Sequence, residues 1–574
     1  MKNFLEIYYT DVYKTGHKPM LPQGSTLMNS NMTPRSGKHA NFPNAEGIVA
    51  AGMQKNVRLM HDDWQKNFFD RPIEDIDQFG KDLTAMLMLS TPVDVSHFKE
   101  LHKLGYLPIQ FKAIEEGNLI PYKIPMYTIQ NTQPLDGPVF DWIVNYLETI
   151  LSAESWQLPT SATISREFRK LSIEWITKTD KENLWFVDYQ NHDFSMRGMG
   201  GKSAIINSGL GFAMGSRGSD TLPVIPATRE FYDYPLDSVP VNSVIASEHA
   251  IMCSLTGFFL KKKDGSWENV GELEIETFRY LLKTFPTGIL SLVSDTWDLW
   301  RVITEYCRVL KDEIMARDGK LVIRPDSGDP VDIICGINSI TNTNMIDNSE
   351  DGVYIINGTK YEWSASAWSE LLEEYGEYCW EKFHDIMADP KEFCDWSGNV
   401  LKEVAGGNAP EQKGVIELLW DIFGGDVSTT GYKRLDSHIG AIYGDSINLA
   451  RAVSMYTRLE AKGFASTNIV LGIGSYTLQM VTRDTHGFAQ KATYIELGED
   501  CGVEIFKDPI TDDGTKKSAK GLLRVDLVDG QYILKDQCTK EEESGGMLQI
   551  IYENGIFYNE TTFEEIRERL NASI

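Results

Sequence analysis

Five apolar segments, each followed by polar or glycine residues, constrain the fold of this chain more than any other feature. They are SVIASEH at 243–249, ILSLVSD at 289–295, LVIRPDSG at 321–328, IGAIYGD at 439–445 and NIVLGIGSY at 468–476. An apolar run of this length is typical of a strand that is buried on both faces of a parallel sheet. In α/β folds the functional residues lie at the carboxyl ends of such strands. The pattern therefore predicts an α/β barrel enzyme.

The polar residues that end these segments indicate the class of substrate. They include a histidine, an arginine and three carboxylates: His249, Asp295, Arg324, Asp326 and Asp445. Arginine binds phosphate as a fork, and carboxylates hold ribose hydroxyls or Mg²⁺. The glycine-rich turn at 472–474 lets the backbone approach an anion. This set favours a sugar phosphate over a peptide or a lipid.

Composition limits the possible binding partners and the cellular compartment of the protein. The length of 574 residues exceeds one ordinary hydrophobic core, so two domains are expected. The net charge of −28 argues against nucleic acid or an anionic membrane as a partner. Seven cysteines without a CxxC pair are typical of reduced thiols. The first residues lack the apolar core of a signal peptide, and no apolar run is long enough to span a membrane, so we expect a cytoplasmic protein.

The order of helix-like and strand-like segments predicts the domains. A flanking α+β domain is expected from residues 1–155 plus 484–574, and an α/β barrel domain from 156–483. Residues 336–437 separate two barrel strands and carry the helical pattern EWSASAWSELLEEYGEYCWEKFHDIM, which predicts a helical insertion. Gly201-Lys202-Ser203 resembles the end of a P-loop, but Met196 stands where that motif needs glycine.

A series of short motifs then occurs in order along nearly the whole chain. The motifs are TDVYK at 10–14, HDFSMRG at 192–198, GSDT at 218–221, SEH at 247–249, VSD at 293–295, IRPDSG at 323–328, GD at 444–445, TRD at 482–484 and FKDP at 506–509. Together they closely resemble the nicotinamide phosphoribosyltransferase family. The resemblance implies an irregular α/β barrel flanked by a domain built from both chain ends, in a homodimer whose active sites are shared across the interface.

The implied reaction joins nicotinamide to phosphoribosyl pyrophosphate and gives nicotinamide mononucleotide and diphosphate, the first step of NAD salvage. By resemblance, Phe194 and Tyr13 stack on the pyridine ring, with Tyr13 coming from the partner subunit. Asp220 accepts a hydrogen bond from the carboxamide and would repel the carboxylate of nicotinic acid. Arg324, Asp11 and Ser243 complete the implied nicotinamide site.

The resemblance also assigns the remaining site residues. The catalytic group is His249, Asp295, Asp326 and Glu248. The implied site for phosphoribosyl pyrophosphate, diphosphate and the mononucleotide consists of Arg197, His249, Arg324, Asp326, Gly444, Asp445, Ser475, Arg483, Lys491, Lys507 and Lys516. In the family the residue that matches His249 can be phosphorylated by ATP, and Glu248 and Asp295 are candidates to orient its ring. No direct metal ligand is assigned, because Mg²⁺ is expected to enter with the substrate near Asp295 and Asp326.

Two positions depart from the family pattern. The family has a run of glycines where this chain has Gly472-Ile473-Gly474-Ser475-Tyr476, and it has glycine where this chain has Ser446. Three alternatives stay open at this point. They are a nicotinate phosphoribosyltransferase, a nicotinamide-binding protein without turnover, and a barrel glycosidase with paired carboxylates.

Overall fold

The computed structural model describes most of the chain. The described residues are 4–132, 137–263, 270–337, 353–356, 359–363, 401–403, 410–498, 501–507 and 518–574. They form two compact units. The first consists of Met1–Lys170, His192–Asn242 and Gly474–Ile574, and the second of Leu171–Asn191 and Ser243–Ile473.

A seven-stranded antiparallel sheet organises the first unit. Its strands in spatial order are Gly502–Glu504, Ala489–Leu497, Ser25–Thr33, Tyr127–Asn131, Ile109–Ala113, Gln549–Glu553 and Ile556–Phe557. Strands from both ends of the chain therefore share one sheet. Side chains alternate between its faces, and Ile109, Phe111 and Ile129 are buried in the main hydrophobic core of this unit.

The first unit also contains helices. They are Met53–Trp64, Asp75–Met86, Ser96–Leu104, Trp142–Glu154, Lys202–Gly215, Val224–Tyr232, Ser475–Leu478, Lys540–Glu543 and Phe563–Ala572, while Gln157–Thr179 begins in the first unit and ends in the second. Two strand pairs complete the first unit, Gly47–Val49 with Leu119–Pro121 and Leu522–Val528 with Gln531–Cys538. The last helix begins where Thr562 and Glu565 form a capping box, which the sequence TTFEE encodes locally.

Residues 192–242 belong to the first unit, although the predicted boundary assigned them to the barrel domain. The reason lies in their packing against the C-terminal helix. Leu210, Val224 and Phe231 are buried in a second core cluster together with Phe563 and Ile566. The buried guanidinium of Arg567 also donates hydrogen bonds to the carbonyls of Ala213 and Pro240.

A parallel sheet organises the second unit. Five strands of this sheet lie wholly in the second unit, in the order Ile469–Ile473, Ile439–Tyr443, Asp318–Arg324, Thr287–Val293 and Ile245–Ala246. Helices follow the strands in the alternation that the sequence predicts: His249–Lys262 and Val270–Thr284, then Pro330–Cys335, then Leu449–Ala461. The protein is thus a mixed α/β structure with a parallel sheet. Since parallel strands end at the same edge, residues that follow them meet there.

Each of the five apolar segments contains a strand, but the predicted burial is wrong for the first segment, and Ile289 of the second is 45% exposed. In SVIASEH only Ile245–Ala246 forms a strand, and Val244 and Ile245 are 38% and 52% exposed. This strand is last in the spatial order and pairs with Thr287–Val293 alone, through Ile245 with Leu290 and Ala246 with Ser291. An edge strand of two residues has no neighbour on its other side to cover it.

Much of the predicted insertion at 336–437 lies outside the described residues. The helical pattern begins at 362, where Glu362 and Trp363 end the strand Thr359–Trp363, and its remaining residues are not described. The described backbone of this region includes the antiparallel strands Val353–Ile356, Thr359–Trp363 and Leu401–Glu403. It also includes the helix Pro410–Phe423 and the strand pair Gly425–Val427 with Lys433–Leu435.

None of the helices in the described ranges is both long enough and apolar enough to cross a membrane.

Candidate active site

Asp295 is the centre of the polar group at the strand ends of the second unit. It follows the strand Thr287–Val293 by two residues, and its side chain is only 5% exposed. One carboxylate oxygen, Oδ2, accepts hydrogen bonds from the backbone N–H of Asp326 at 2.9 Å and from Oγ of Ser327 at 2.6 Å. The other oxygen, Oδ1, lies 3.3 Å from Nε2 of His249. A single carboxylate therefore joins three segments of the predicted catalytic group.

His249 presents its imidazole to solvent. It is the first residue of the helix His249–Lys262, and its side chain is 48% exposed while the partner carboxylate is buried. The predicted orienting role of Asp295 fits this geometry. Glu248 precedes the helix with an exposed side chain, and within the described chain no hydrogen bond or ion pair joins it to His249. The role of Glu248 in orienting the ring stays a prediction.

Arg324 ends the next strand, Asp318–Arg324, and is held from two sides. Its backbone N–H donates to Oγ of Ser294, and its guanidinium donates to the carbonyl of Ser247 at 3.4 Å. The loop after this strand is tied to the following one, because the hydroxyl of Tyr443 donates to the carbonyl of Gly328 at 2.7 Å. The negative field at these strand ends is strong enough to affect that phenol. Burial raises the pKa of Tyr443, and Asp445, Asp326, Asp329 and Asp295 raise it further.

The turn after the strand Ile439–Tyr443 contains the predicted Gly444 and Asp445, and Asp445 is exposed. Ser446 follows with φ of 50°, in the left-handed region that favours glycine. This is the position where the family pattern has glycine. The carbonyl of Ser446 accepts a hydrogen bond from the guanidinium of Arg451 at 2.5 Å, which helps to hold the strained turn. The departure in sequence thus keeps a glycine-like backbone.

A second polar group lies in the first unit, where two short strands run in parallel. His192 and Asp193 pair with Gly218 and Ser219, which places Asp220 directly after the second strand. Nε2 of His192 lies 2.9 Å from Oδ1 of Asp220. The histidine side chain is 10% exposed and the aspartate side chain 43%. The ring of Phe194 packs against His192 with centroids 4.8 Å apart, so the predicted ring-stacking residue and the predicted amide acceptor share one neighbour.

Hydrogen bonds to Asp193 hold this polar group in place. Its buried carboxylate accepts hydrogen bonds from the N–H of Ser195 at 2.8 Å and from Oγ of Ser219 at 3.3 Å. Its carbonyl accepts the N–H of Asp220 at 3.0 Å. The backbone on both sides of Phe194 and Asp220 is therefore fixed by one buried residue.

Arg197 lies on the turn Met196–Gly198, next to the predicted phosphate loop. A Cβ added at Gly198 would come within 2.1 Å of Oγ of Ser475, so only glycine permits this approach. Ser475 begins the short helix Ser475–Leu478, and the N–H of Gly200 donates to the side chain of Gln479 at 3.2 Å. The structure therefore brings Arg197 and Ser475 into one region of the first unit.

Basic residues also converge in the first unit. Burial lowers the pKa of Lys491, and the positive charges of Lys507, Arg35 and Arg483 lower it further, with Glu148 opposing them. Arg35 is held by a hydrogen bond to the carbonyl of Gly487 at 2.8 Å. The cluster supplies a local positive field in a chain with a net charge of −28. Lys516, predicted with this group, lies outside the described residues.

The remaining predicted residues are exposed. Tyr13 is 57% exposed beside His17, and Asp11 accepts a hydrogen bond from Oγ1 of Thr149 at 2.9 Å. Ser243 is exposed two residues before the edge strand. Across the described ranges, no group of three or more histidine, cysteine, aspartate or glutamate side chains is arranged to hold a metal ion.

Comparison with known proteins places this geometry in a family. The profile of the nicotinate phosphoribosyltransferase (NAPRTase) family matches residues 189–394 and 395–556, which include both polar groups. The chain belongs to this family. Its matched segments contain the strand ends of the second unit and the pair of His192 and Asp220.

Several relatives match over nearly their whole length. A nicotinamide phosphoribosyltransferase of Acinetobacter baylyi is 37% identical over 570 residues, which cover 98% of this chain and 96% of the relative. A protein of the same name from Mycoplasma pneumoniae is 28% identical over 530 residues, covering 89% and 93%. A third, from Xanthomonas campestris pv. campestris, is 27% identical over 577 residues, covering 98% and 97%.

Two residues of the site were missed by the sequence analysis. His192 stands two residues before Phe194, and the spacing places both on one face of an extended segment. That signal was available but does not reveal the partner carboxylate. Ser327 lies inside the motif RPDSG and binds Asp295, a contact that depends on how two strand ends meet.

Proposed function

We propose that this protein transfers the phosphoribosyl group of phosphoribosyl pyrophosphate to nicotinamide, giving nicotinamide mononucleotide and diphosphate. This is the first step of NAD salvage. The observation that carries the proposal is the exposed carboxylate of Asp220, which is held 2.9 Å from His192 beside the ring of Phe194. The names of the relatives in Acinetobacter, Mycoplasma and Xanthomonas support it.

Asp220 distinguishes the two pyridine substrates by charge. Its carboxylate can accept a hydrogen bond from the amide N–H of nicotinamide, whereas it would face the carboxylate of nicotinic acid. Placing like charges together in a desolvated site costs several kcal/mol. Stacking of the pyridine on Phe194 adds about 0.5–1.5 kcal/mol beyond the burial of surface. The proposal assigns Tyr13 of the partner subunit to the other face of the ring.

The chemical step is a substitution at C1 of the ribose. The ring nitrogen of nicotinamide forms the new bond to C1 as the bond from C1 to the diphosphate oxygen breaks, and the diphosphate leaves with the bonding electrons. The proposal assigns Arg197 and Arg324 to the charge of the leaving diphosphate. It assigns Asp326 and Asp445 to the ribose hydroxyls, where negative charge also favours a C1 that becomes cationic. The basic cluster around Lys491 receives a phosphate.

Mg²⁺ fits this site as a companion of the substrate. The oxygen donors of Asp295, Asp326 and Asp445 are of the type that Mg²⁺ prefers, and Mg²⁺ commonly binds through one or two carboxylates plus substrate phosphates. When bound, it would neutralise charge on the diphosphate. The residues of this chain orient the phosphoribosyl group and screen its charges.

His249 is proposed to accept the γ-phosphoryl group of ATP, so that a ring nitrogen forms the new bond to phosphorus while the bond to the bridging oxygen breaks and ADP leaves. Because Nε2 faces Asp295, the proposal places the phosphoryl group on Nδ1, the other ring nitrogen. The carboxylate of Asp295 stabilises the imidazolium form that arises during transfer. ATP would then stimulate the main reaction without being required for it.

The proposal extends to architecture and location. It includes closure of the parallel sheet into an irregular α/β barrel, a flanking domain that contains both chain ends and the helical insertion at 336–437. It also includes a homodimer with shared active sites in the cytoplasm, without nucleic acid or membrane partners. Sedimentation of the purified chain tests the dimer, and so does mixing of two impaired variants, Tyr13→Ala and Asp295→Ala, because a mixed dimer would contain one site with both residues intact. Restored activity in the mixture is the expected outcome.

Product analysis tests the reaction itself. The purified chain is incubated with phosphoribosyl pyrophosphate, Mg²⁺ and either nicotinamide or nicotinic acid, with and without ATP, and products are separated by chromatography. We expect mononucleotide from the amide. Product from the acid alone would favour a nicotinate phosphoribosyltransferase, the second candidate, which the family's own description favours. Binding of nicotinamide without product would indicate a protein that has lost turnover.

A further inference from the structure

A polar cavity in the first unit lies outside the group of residues that the proposed reaction uses. It has a volume of about 560 Å³ and is floored by the antiparallel sheet. Gln110 and Lys112 line it, whereas Ile109 and Phe111 alternate with them and are buried in the core on the opposite face. Pockets for small molecules commonly occupy ~300–1,000 Å³, so this volume is sufficient.

A row of hydrogen-bonded amides crosses the floor of the cavity. Asn29 Nδ2 donates to Gln130 Oε1 at 3.2 Å, Gln130 Nε2 to Gln110 Oε1 at 3.0 Å, and Gln110 Nε2 to Glu553 Oε1 at 3.2 Å. These residues are direct cross-strand neighbours on four adjacent strands. All three bonds run in the same direction and end on a carboxylate. Such a row holds each polar group in a fixed orientation toward the cavity.

The walls combine charge with apolar surface. Lys112 and Glu543 form a buried ion pair at 2.7 Å, with side chains 7% and 8% exposed. Lys540 pairs with Glu496 at 2.7 Å. Burying an ion pair rarely adds to stability compared with apolar packing, so stability alone does not account for a polar lining here.

Glu553 gives the cavity a net negative charge. The described residues include no ion-pair partner for it, and Gln110 is its hydrogen-bond donor. The other charges of the lining are compensated within their pairs. The cavity is therefore expected to favour a ligand with N–H donors and to repel phosphate and carboxylate groups.

We propose that this cavity binds the base of a nucleoside that carries an exocyclic amine, as adenosine and cytidine do. The amine donates to Glu553, and the ring nitrogens accept from the side-chain amides of the floor. The apolar side chains of Leu27, Leu522 and Leu548 and the ring of Tyr558 cover the faces of the base. The phosphate groups of a nucleotide find no uncompensated cation in this lining.

Calorimetric titration of the full-length chain with adenosine tests this site. Nicotinamide is kept saturating, so that binding at the proposed pyridine site does not contribute. The ligand series is adenosine, inosine, in which a carbonyl replaces the amine, and adenosine monophosphate. We expect adenosine to bind at least about tenfold more tightly than either of the others, the size of effect that a hydrogen bond to a charged group produces. Equal affinity for inosine would overturn the proposal, and so would tighter binding of the monophosphate that depends on Glu553.

A pair of matched variants locates the binding. Glu553→Gln removes the charge at the end of the row, and Glu568→Gln removes the same charge from an exposed position on the helix Phe563–Ala572. We expect the first to weaken adenosine binding at least about tenfold and the second to leave it unchanged. Tyr558→Ala provides an independent change at an exposed lining residue, should Glu553→Gln unfold. Unchanged affinity in a folded cavity variant, or no binding of adenosine or cytidine to the wild-type chain, would refute the site.

Discussion

The two units each contain a histidine paired with an aspartate, and the pairs have opposite burial. In the first unit the imidazole of His192 is 10% exposed and the carboxylate of Asp220 is 43% exposed. In the second unit His249 is 48% exposed and Asp295 only 5%. The two pairs consist of the same residue types but present different groups to solvent. One pair presents a carboxylate to solvent, and the other presents an imidazole ring.

In each pair the buried side chain holds the exposed one in position. Asp295 is fixed by bonds from Asp326 and Ser327, so it can hold His249 without moving. His192 is packed against Phe194 and can hold Asp220 in the same way. A buried polar group with satisfied partners loses little on substrate binding, because its orientation is already fixed.

Replacement of Asp295 should break the pair of the second unit most completely. Asp295→Ala removes the acceptor for Asp326, Ser327 and His249 at once, and we expect kcat/KM to fall by about 100-fold or more. Asp312→Ala, at an exposed helical position of the same unit, serves as the control. Steady-state rates with nicotinamide measure the effect. A loss below threefold in a folded variant would show that Asp295 is not needed to organise these strand ends.

Neutralising Asp220 should change selectivity more than rate. Asp220→Asn removes the repulsion toward nicotinic acid, and we expect the preference for the amide, measured as a ratio of kcat/KM values, to fall by about 10–100-fold. Asp237→Asn is exposed in the same unit and should leave the ratio unchanged. An unaltered ratio in the Asp220 variant would transfer the choice of substrate to another residue.

Removal of His249 should abolish the stimulation by ATP and leave the basal reaction in place. His249→Ala eliminates the exposed imidazole, so the rates with and without ATP should become equal while basal turnover persists. The comparison requires wild-type protein that responds to ATP under the same conditions. Continued stimulation in the variant would place the ATP effect elsewhere.

Substitutions of His192 should have a smaller effect on kcat/KM. They should show whether His192 acts as a hydrogen-bond donor or by packing. His192→Phe keeps an aromatic ring but loses the N–H, and we expect kcat/KM for nicotinamide to fall about 3–10-fold, mainly through KM. His192→Gln retains a side-chain N–H and should recover most of the loss. A larger defect in His192→Gln than in His192→Phe would instead indicate that the ring acts by packing against Phe194.

A buried carboxyl group that belongs to neither pair, Glu274, should make the stability of the protein depend on pH. Burial raises the pKa of Glu274, on the helix Val270–Thr284, from 4.5 to about 8. Between these values the unfolded state loses its proton first, so this group's contribution to the free energy of unfolding decreases as pH rises from 4.5 to about 8. Glu274→Gln should therefore raise the melting temperature at pH 8 relative to wild type, with little difference near pH 4. Equal shifts at both pH values would contradict the assignment.

The local parts of this architecture can be predicted from sequence, and the pairing cannot. Arg324 ends a strand in the structure because an apolar run stops there, and that signal lies within a few residues. The contact of His192 with Asp220 instead depends on the parallel register of two strands 28 residues apart, which no local pattern specifies. The prediction that Ile245 is buried is wrong for a similar reason. An apolar run does not reveal whether its strand lies at the edge of the sheet. The roles assigned to the site residues stay predictions.

The contact between Gly198 and Ser475 has a consequence for how sequences of this kind can diverge. A Cβ at position 198 would lie 2.1 Å from Oγ of Ser475, so residue 198 cannot become larger while Ser475 keeps its place. Larger residues at 198 should appear among relatives only where the loop at 475 has become shorter or has moved. Two positions far apart in the gene are thereby expected to be inherited as a unit, and recombination between relatives should be tolerated least when it separates them.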